Sequence, residues 1–168
     1  KALREGIEMR EPSESDLEAA MARLNKVNSS TSGESATDLR KELQGIMQNH
    51  FGVFRKGELM QEGIKKLAEL RERVENVHLV DKSNAFNTAR IEALEIQNLF
   101  EVAEATAIAA EVRKESRGAH AREDFQERDD ENWLCHSMYF PGEKRVGKRA
   151  VNFAPKTMEA FEPKVRTY

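Results

Sequence analysis

The stretch from Asn87 to Lys114 constrains this chain more than any other. It carries a long, alanine-rich helical pattern, which at ~1.5 Å per residue reaches roughly 40 Å. Ile91, Leu94, Val102, Ala105, Ala109 and Val112 form one apolar stripe. Ile96, Leu99, Phe100, Ala103, Ala107 and Ala110 widen it. An apolar surface that wide needs contacts on several sides, and the alanines let neighbouring backbones come close. The helix therefore belongs among other helices.

The chain before it supplies them. Leu17, Ala20, Met21, Leu24 and Val27 recur at helical spacing, and Ser15 with Glu18 has the spacing of a capping box at their start. A polar, Gly-containing loop spans Asn28 to Ser35. A second helix puts Leu39, Leu43, Ile46, Met47 and His50 on one face, with Ser35 or Thr37 as its cap. Gly52 and Gly57 bracket an aromatic turn with Phe51 and Phe54. The third helix uses Met60, Ile64, Leu67, Leu70 and Val74, and residues 76–86 read as a loop with Ser83 and Asn84 as turn formers.

After Gly118 the pattern changes. Leu134–Phe140 and Ala150–Phe153 read as short strands, with Pro141-Gly142 opening the connection of a hairpin. The tail from Pro155 to Tyr168 holds Pro155 and Pro163 and is expected to be extended. The expected fold is mainly α: an antiparallel three-to-four-helix bundle over residues 1–114. A small β-hairpin and extended tail, residues 115–168, pack on it.

The totals agree. The 168 residues suit one domain with an appendage. A charged fraction of 34% with only 7% aromatics suits helices with solvated faces. A net charge of −3 argues against a dedicated nucleic-acid binder. The single Cys135 rules out an intrachain disulfide and points to a reducing, cytoplasmic setting. No run approaches the roughly 18 apolar residues of a membrane span, and Lys1-Ala2-Leu3-Arg4-Glu5 lacks the apolar centre of a signal peptide. The chain begins without Met, inside an amphipathic pattern, and reads as a piece of a longer protein.

Candidate chemistry is thin. His50, His78, His120 and His136 show no metal-ligand spacing. Cys135 and His136 are adjacent, so on a strand they point to opposite faces; Cys135 is better read as a small apolar filler. Asn98 interrupts the apolar surface of the long helix, as a register-setting buried amide would. Glu123, Asp124, Glu127, Asp129, Asp130 and Glu131 alternate with Arg122 and Arg128, a pattern suited to an ion network that fixes the tail. The sharpest candidate is the junction Lys114-Glu115-Ser116-Arg117-Gly118-Ala119-His120-Ala121-Arg122, where the helical pattern stops. Arginine forks suit carboxylates and phosphates, and Gly118 could supply the positive φ of a helix C-cap. A cap-and-clamp and an anion site both fit these residues, and the clamp needs no ligand. No glycine-rich phosphate loop, Gly-x-Ser-x-Gly or HExxH is present. The clamp candidates are Glu115, Arg117, Gly118, His120, Arg122, Asp129 and Trp133.

A resemblance sharpens this reading. The run Arg113-Lys114-Glu115-Ser116-Arg117-Gly118-Ala119-His120-Ala121-Arg122-Glu123-Asp124-Phe125 resembles the C-terminal region of the succinate dehydrogenase flavoprotein subunit, and fumarate reductase flavoproteins carry a similar segment. Arg128-Asp129-Asp130-Glu131-Asn132-Trp133-Leu134-Cys135-His136-Ser137 looks like its compact bacterial form. Pro163-Lys164-Val165-Arg166-Thr167-Tyr168 resembles the family's carboxyl terminus. Ser13-Glu14-Ser15-Asp16, Met47-Gln48 and Val53-Phe54-Arg55 match further upstream.

The resemblance implies a parent that oxidises succinate to fumarate, passes a hydride to FAD, and sends electrons to an iron–sulfur subunit and then quinone. It places the parent on the cytoplasmic face of the bacterial inner membrane, peripherally and without insertion. The FAD-binding and capping domains, the covalent-FAD histidine and the dicarboxylate-binding residues of that family lie outside motifs found here. No catalytic, cofactor-binding or metal-binding residue is therefore carried over, and no cofactor is assigned to this chain. The expected partners are the parent's FAD-binding and capping domains and its iron–sulfur subunit, with self-association of the exposed apolar surface. The competing readings are an independent helical interaction module and a small enzyme built on Arg117 and His120.

Overall fold

The computed structural model describes residues 5–6, 11–161 and 164. The opening residues and most of the Pro163–Tyr168 motif lie outside them. Among the described residues five α-helices and two small sheets follow in chain order: α1 (Glu14–Ser29), α2 (Ala36–Phe51), β1 (Phe54–Arg55), α3 (Gly57–Glu75), α4 (Thr88–Val112), β2 (Ala121–Arg122), α5 (Asp130–Trp133), β3 (Cys135–Phe140) and β4 (Arg145–Ala150).

Cross-helix pairs define the bundle. Arg73 of α3 reaches Glu34 and Glu42 near the start of α2, while the His50 ring at the other end of α2 meets Leu59 and Lys66. Arg71 meets Glu101 and Glu104 of α4, and Gln61 meets Glu111. So α3 runs antiparallel to both neighbours, and α2 and α4 run parallel. The core is Leu39, Leu43, Ile46, Met60, Leu67, Leu70, Ile96, Phe100 and Ala107, closed by Val77 and Leu79 from the loop after α3. This matches the periodicity of the second and third helices.

Two faces differ from expectation. On α4 the buried residues are Ala93, Ile96, Phe100, Ala103, Glu104, Ala107 and Ala110. Of the other stripe Ile91 and Val102 are exposed, while Leu94, Ala105, Ala109 and Val112 are half-buried at its edge. Both stripes are apolar, so periodicity alone could not rank them. On α1 only Val27 is buried, and Leu17 and Met21 are exposed. This helix is held on α4 by Arg23, which donates to Gln97 Oε1 (2.8 Å), Asn98 Oδ1 (2.7 Å) and Leu94 O (3.1 Å). Asn98 is thus an exposed acceptor and not a buried register residue. The cap of α1 is Ser13, bonded by the Asp16 amide at 3.2 Å; Ser15 already sits in the first turn. Ser35, not Thr37, caps α2.

The hairpin is real but shifted. Its second strand is Arg145–Ala150, paired from Cys135↔Ala150 to Phe140↔Arg145, so residues 151–153 lie beyond it. A 3₁₀ turn at Pro141–Glu143 and a left-handed Lys144 reverse the chain sooner than the pattern of apolar residues indicated. Tyr139 ties the hairpin to the bundle, donating to the buried Glu104 at 2.9 Å. Burial and that bond push the Tyr139 hydroxyl up to about 12. The described tail, residues 151–161, has neither helix nor strand, and Arg128 donates to Lys164 O at 3.0 Å.

Helices α2 and α3 touch at Gly63, where an added Cβ would sit 2.5 Å from both the Cβ of His50 and the ring of Phe51. Gly63→Ala is therefore expected to destabilise the protein by ~1–2 kcal/mol, overpacking outweighing alanine's better helix propensity. Urea denaturation checks it, and a gain in stability would contradict this packing.

Candidate functional site

The junction after α4 has to solve a problem at the helix's C-terminus, where the last carbonyls have no partner within the helix. Arg122, 3% exposed, turns back onto them. Its Nη1 donates to Ala110 O (3.3 Å), Glu111 O (2.9 Å) and Arg113 O (3.1 Å). The other side of its fork, Nε and Nη2, grips both carboxylate oxygens of Asp124 at 2.7 and 2.8 Å. Asp124 in turn accepts the Gly57 amide at 3.0 Å. Gly57 opens α3, whose N-cap Lys56 makes no side-chain cap. A cation thus closes the negative end of α4 and an anion the positive end of α3, each complementing a helix dipole. The Arg122 bond, aided by the Gly57 amide and opposed by burial, lowers the Asp124 carboxyl to about 2.

Backbone pairing holds this staple in place. The two-residue strands β1 and β2 lie parallel, Phe54 beside Ala121 and Arg55 beside Arg122. The Glu123 amide donates to Arg55 O at 2.8 Å. Between α4 and β2 the chain makes a tight reversal in which Arg117 and His120 exchange backbone bonds of 2.9 and 3.0 Å. Gly118, φ +58°, is its first central residue, the type II′ position that favours glycine. It does not cap α4, whose C-cap is Arg113.

A second cluster centres on Glu115, which has no exposed surface. It accepts from Arg113, from Arg117 through Nε (2.8 Å) and Nη2 (2.9 Å), and from the Asp129 amide (2.9 Å). Burial raises its affinity for a proton, but the bonds from Arg117, Asp129 and Arg113 together outweigh that and hold the carboxyl below its usual range. Arg117 continues to Asp130 (2.6 Å), and Arg113 to Trp133 O (2.9 Å) and Cys135 O (2.5 Å). Asp129 caps α5 through the Asn132 amide at 2.9 Å. The Trp133 ring meets the Arg113 guanidinium at 5.3 Å and the Lys148 ammonium at 3.7 Å.

His120 links the two clusters. Its Nε2 lies 3.0 Å from Arg113 O and its Nδ1 2.8 Å from Arg55 Nη1. Only the neutral tautomer with the proton on Nε2 satisfies both, because Arg55 has nothing but donors to offer. Desolvation lowers its pKa, the carbonyl bond opposes that, and Arg55, Arg122 and Arg113 lower it further.

The structure therefore brings Glu115, Arg117 and Asp129 together, sets Trp133 against Arg113, and joins His120 and Arg122 at Arg113 O. Gly118 stands apart, shaping the reversal. Sequence reasoning passed over Arg55 and Arg113 as site residues, although both lie within the motifs it singled out. It placed Asp124 in an ion network that fixes the tail, without pairing it to Arg122 or to the start of α3. The guanidiniums of Arg113, Arg117 and Arg122 are directed at internal carboxylates and carbonyls. Cys135 and His136 fall on a strand, Cys135 half-buried and His136 exposed. Among the described residues no group of three or more His, Cys, Asp or Glu could hold a metal, and no helix is long and apolar enough to cross a membrane.

Fold and junction define a helical-bundle region whose longest helix, α4, is joined to α3 by a charged return segment. Comparison with known proteins identifies the region. A family model described as fumarate reductase flavoprotein C-term matches residues 40–168. The succinate dehydrogenase flavoprotein subunit of Coxiella burnetii is 45% identical over 166 residues, covering 99% of this chain and 28% of that protein. The mitochondrial counterpart from rice is 41% identical over 155 residues, 90% of this chain and 25% of that protein. A mutant form of E. coli quinol fumarate reductase superposes with a TM-score of 0.74 at 35% identity, over 91% of this chain and 27% of that one. Adenylylsulfate reductase of Archaeoglobus fulgidus, at 21% identity and a TM-score of 0.71, shares the fold. The chain belongs to the succinate dehydrogenase/fumarate reductase flavoprotein family and corresponds to its C-terminal region. It spans about a quarter of the length of the relatives it matches.

Two outcomes are expected at the junction. Arg122→Leu leaves three carbonyls and the Asp124 carboxylate without their partner and is expected to cost ~3 kcal/mol. Trp133, the chain's one tryptophan, should report loosening of the return segment as a shifted emission maximum before global unfolding. The second concerns pH. A histidine whose folded pKa lies below the usual 6.5 takes its proton first in the unfolded chain, so its contribution is complete above about 6.5 and lost as pH falls below it. The melting temperature is expected to fall between pH 7.5 and 5.5, and His120→Gln, which keeps one donor and one acceptor, should flatten that slope. Equal slopes would remove His120 as the cause.

Proposed function

We propose that this chain is the structural C-terminal region of a flavoprotein that oxidises succinate to fumarate, and that it supplies no catalytic group itself. In that parent, FAD takes a hydride from succinate and electrons pass to an iron–sulfur subunit and quinone. The parent is peripheral on the cytoplasmic face of a bacterial inner membrane. Residues 1–114 form the body that meets the FAD-binding and capping domains. Residues 115–168 strap that body, with Glu115, Arg117, His120, Arg122, Asp129 and Trp133 as the clamp and Gly118 as its turn.

The observation that carries this reading is the saturation of the junction. A site for a dicarboxylate or a pyrophosphate needs cations or amides aimed outward. Here the fork of Arg122 is spent on α4 and Asp124, that of Arg117 on Glu115 and Asp130, and His120 has both ring nitrogens occupied. The residues present do not fit FAD by themselves, since no glycine-rich turn accompanies them. The flavin is placed in the part of the parent outside this chain.

The test is flavin retention. The purified 168-residue chain, mixed with FAD and desalted, is expected to keep no absorbance near the flavin maximum and to show no succinate-dependent dye reduction. Stoichiometric retained flavin would overturn the assignment. In the complete subunit, Arg122→Leu is expected to lower kcat in proportion to the folded fraction with KM for succinate unchanged; a raised KM would place Arg122 at the substrate.

A further inference from the structure

The loop between α3 and α4 presents a residue that does not suit its surroundings. Phe86 is fully exposed, at 102% of the reference surface. Its φ is +48°, a left-handed conformation in which a bulky L-residue is a genuine outlier. Each feature is unfavourable in the chain alone, and they coincide at one position.

The loop is nonetheless tightly closed. The buried Asn87 donates from Nδ2 to Asp81 O (2.7 Å) and Ser83 O (3.0 Å), and its Oδ1 caps α4 by accepting the Arg90 amide (2.8 Å). Asp81 accepts the Ser83 amide at 2.8 Å, and the Thr88 amide donates to Phe86 O at 3.0 Å. Inward, Val77 and Leu79 enter the core, and the Leu79 amide donates to Ser30 Oγ at 3.0 Å. These bonds on both sides of residue 86 impose its conformation. Strain held in this way is characteristic of recognition and switch sites, and rigid aromatics are the usual anchors of interfaces.

The chemistry of the loop restricts the occupant. Asp81 is engaged by Ser83, and Lys82 donates to Ser30 O at 2.8 Å. Residues 80–86 are all exposed, and the large apolar side chains among them are Phe86 and Val80, the latter 81% exposed. The complement of Phe86 is an apolar socket, since the charges of this loop, Asp81 and Lys82, already have partners within the molecule. Relatives carry nearly three quarters of their length outside the matched segment, since this chain covers 28% and 26% of two of them. We infer that Phe86, with Val80 on the same loop, is the anchor by which this helical region docks into an apolar socket on the remaining part of its own polypeptide. The inference rests on the reading that the chain is one region of a longer flavoprotein subunit.

Two measurements test it. In the 168-residue chain, Phe86→Gly and Phe86→Asn are expected to raise the melting temperature, because both residues tolerate φ near +48° and no packing is lost. A fall with both variants would mean that Phe86 is an internal packing residue and would overturn the inference. Hydroxyl-radical footprinting then compares the 168-residue chain with the complete subunit free of other subunits. A several-fold loss of reactivity at Phe86 and Val80 in the complete subunit is expected. Equal reactivity overturns the proposal, as does protection that appears only when the iron–sulfur subunit is added, or only with rising concentration of the 168-residue chain. Failure of the parent reading would show separately, as a complete subunit that neither holds flavin nor oxidises succinate.

Discussion

The Arg122–Asp124 pair is the constraint on which the rest of the molecule depends. Because α3 and α4 are antiparallel, the start of one and the end of the other lie at the same end of the bundle. Each terminus there carries orphan polar groups and a partial charge of opposite sign. One ion pair answers both: the guanidinium takes three carbonyls of α4 and the carboxylate takes the first amide of α3. A buried ion pair is not stabilising by default, since desolvation offsets much of its attraction. Here apolar replacements would leave the helix ends unpaired, so the comparison favours the charges. Lysine could not substitute, because only a planar fork serves Asp124 on one edge and the carbonyls on the other.

The same rule governs the other buried charges. Glu104 lies on the inner face of α4, and Arg71 and Tyr139 converge on it from α3 and the hairpin. Glu115 has no surface at all, and Arg113, Arg117 and a backbone amide converge on it. In each case one carboxylate joins segments distant in sequence, and its cost when unpaired makes the joint specific. The bundle supplies the apolar burial. The carboxylates decide which return path the chain after Arg113 takes across it.

This division explains what could be read from the sequence. The second and third helices have one apolar face each, so their core residues followed from spacing. The long helix has two apolar stripes, and spacing could not tell the core stripe through Ile96 and Phe100 from the one whose Ile91 and Val102 are exposed. The first helix showed a good apolar period, yet Leu17 and Met21 are exposed, and it is held by the buried Val27 and the bonds of Arg23. Ser13 and Ser15 both precede an acidic residue by three positions, and the local pattern does not choose between them. The strands β1 and β2 were invisible, since two residues carry no period and their partners are far apart in the chain. The residues proposed as a clamp stood out by type and spacing. Their connectivity did not, because Arg113 and Arg55 act through backbone carbonyls and through His120, which a sequence does not display. Gly118 was rightly marked as a positive-φ position and wrongly given to the helix end, because a C-cap and a II′ turn ask for the same glycine.

The outward surface carries the remaining argument. A protein complete in itself buries its large apolar groups or scatters them singly. Here Ile91, Leu99 and Val102 share one helix, Leu17 and Met21 another, and Phe86 stands fully in water on a closed loop. The polar groups show the opposite habit: the arginines, carboxylates and helix ends at the junction are satisfied internally. At the junction the charged groups are directed inward, and the large apolar groups of α1, α4 and the loop between α3 and α4 are directed outward. That asymmetry agrees with a chain that spans about a quarter of its relatives' length.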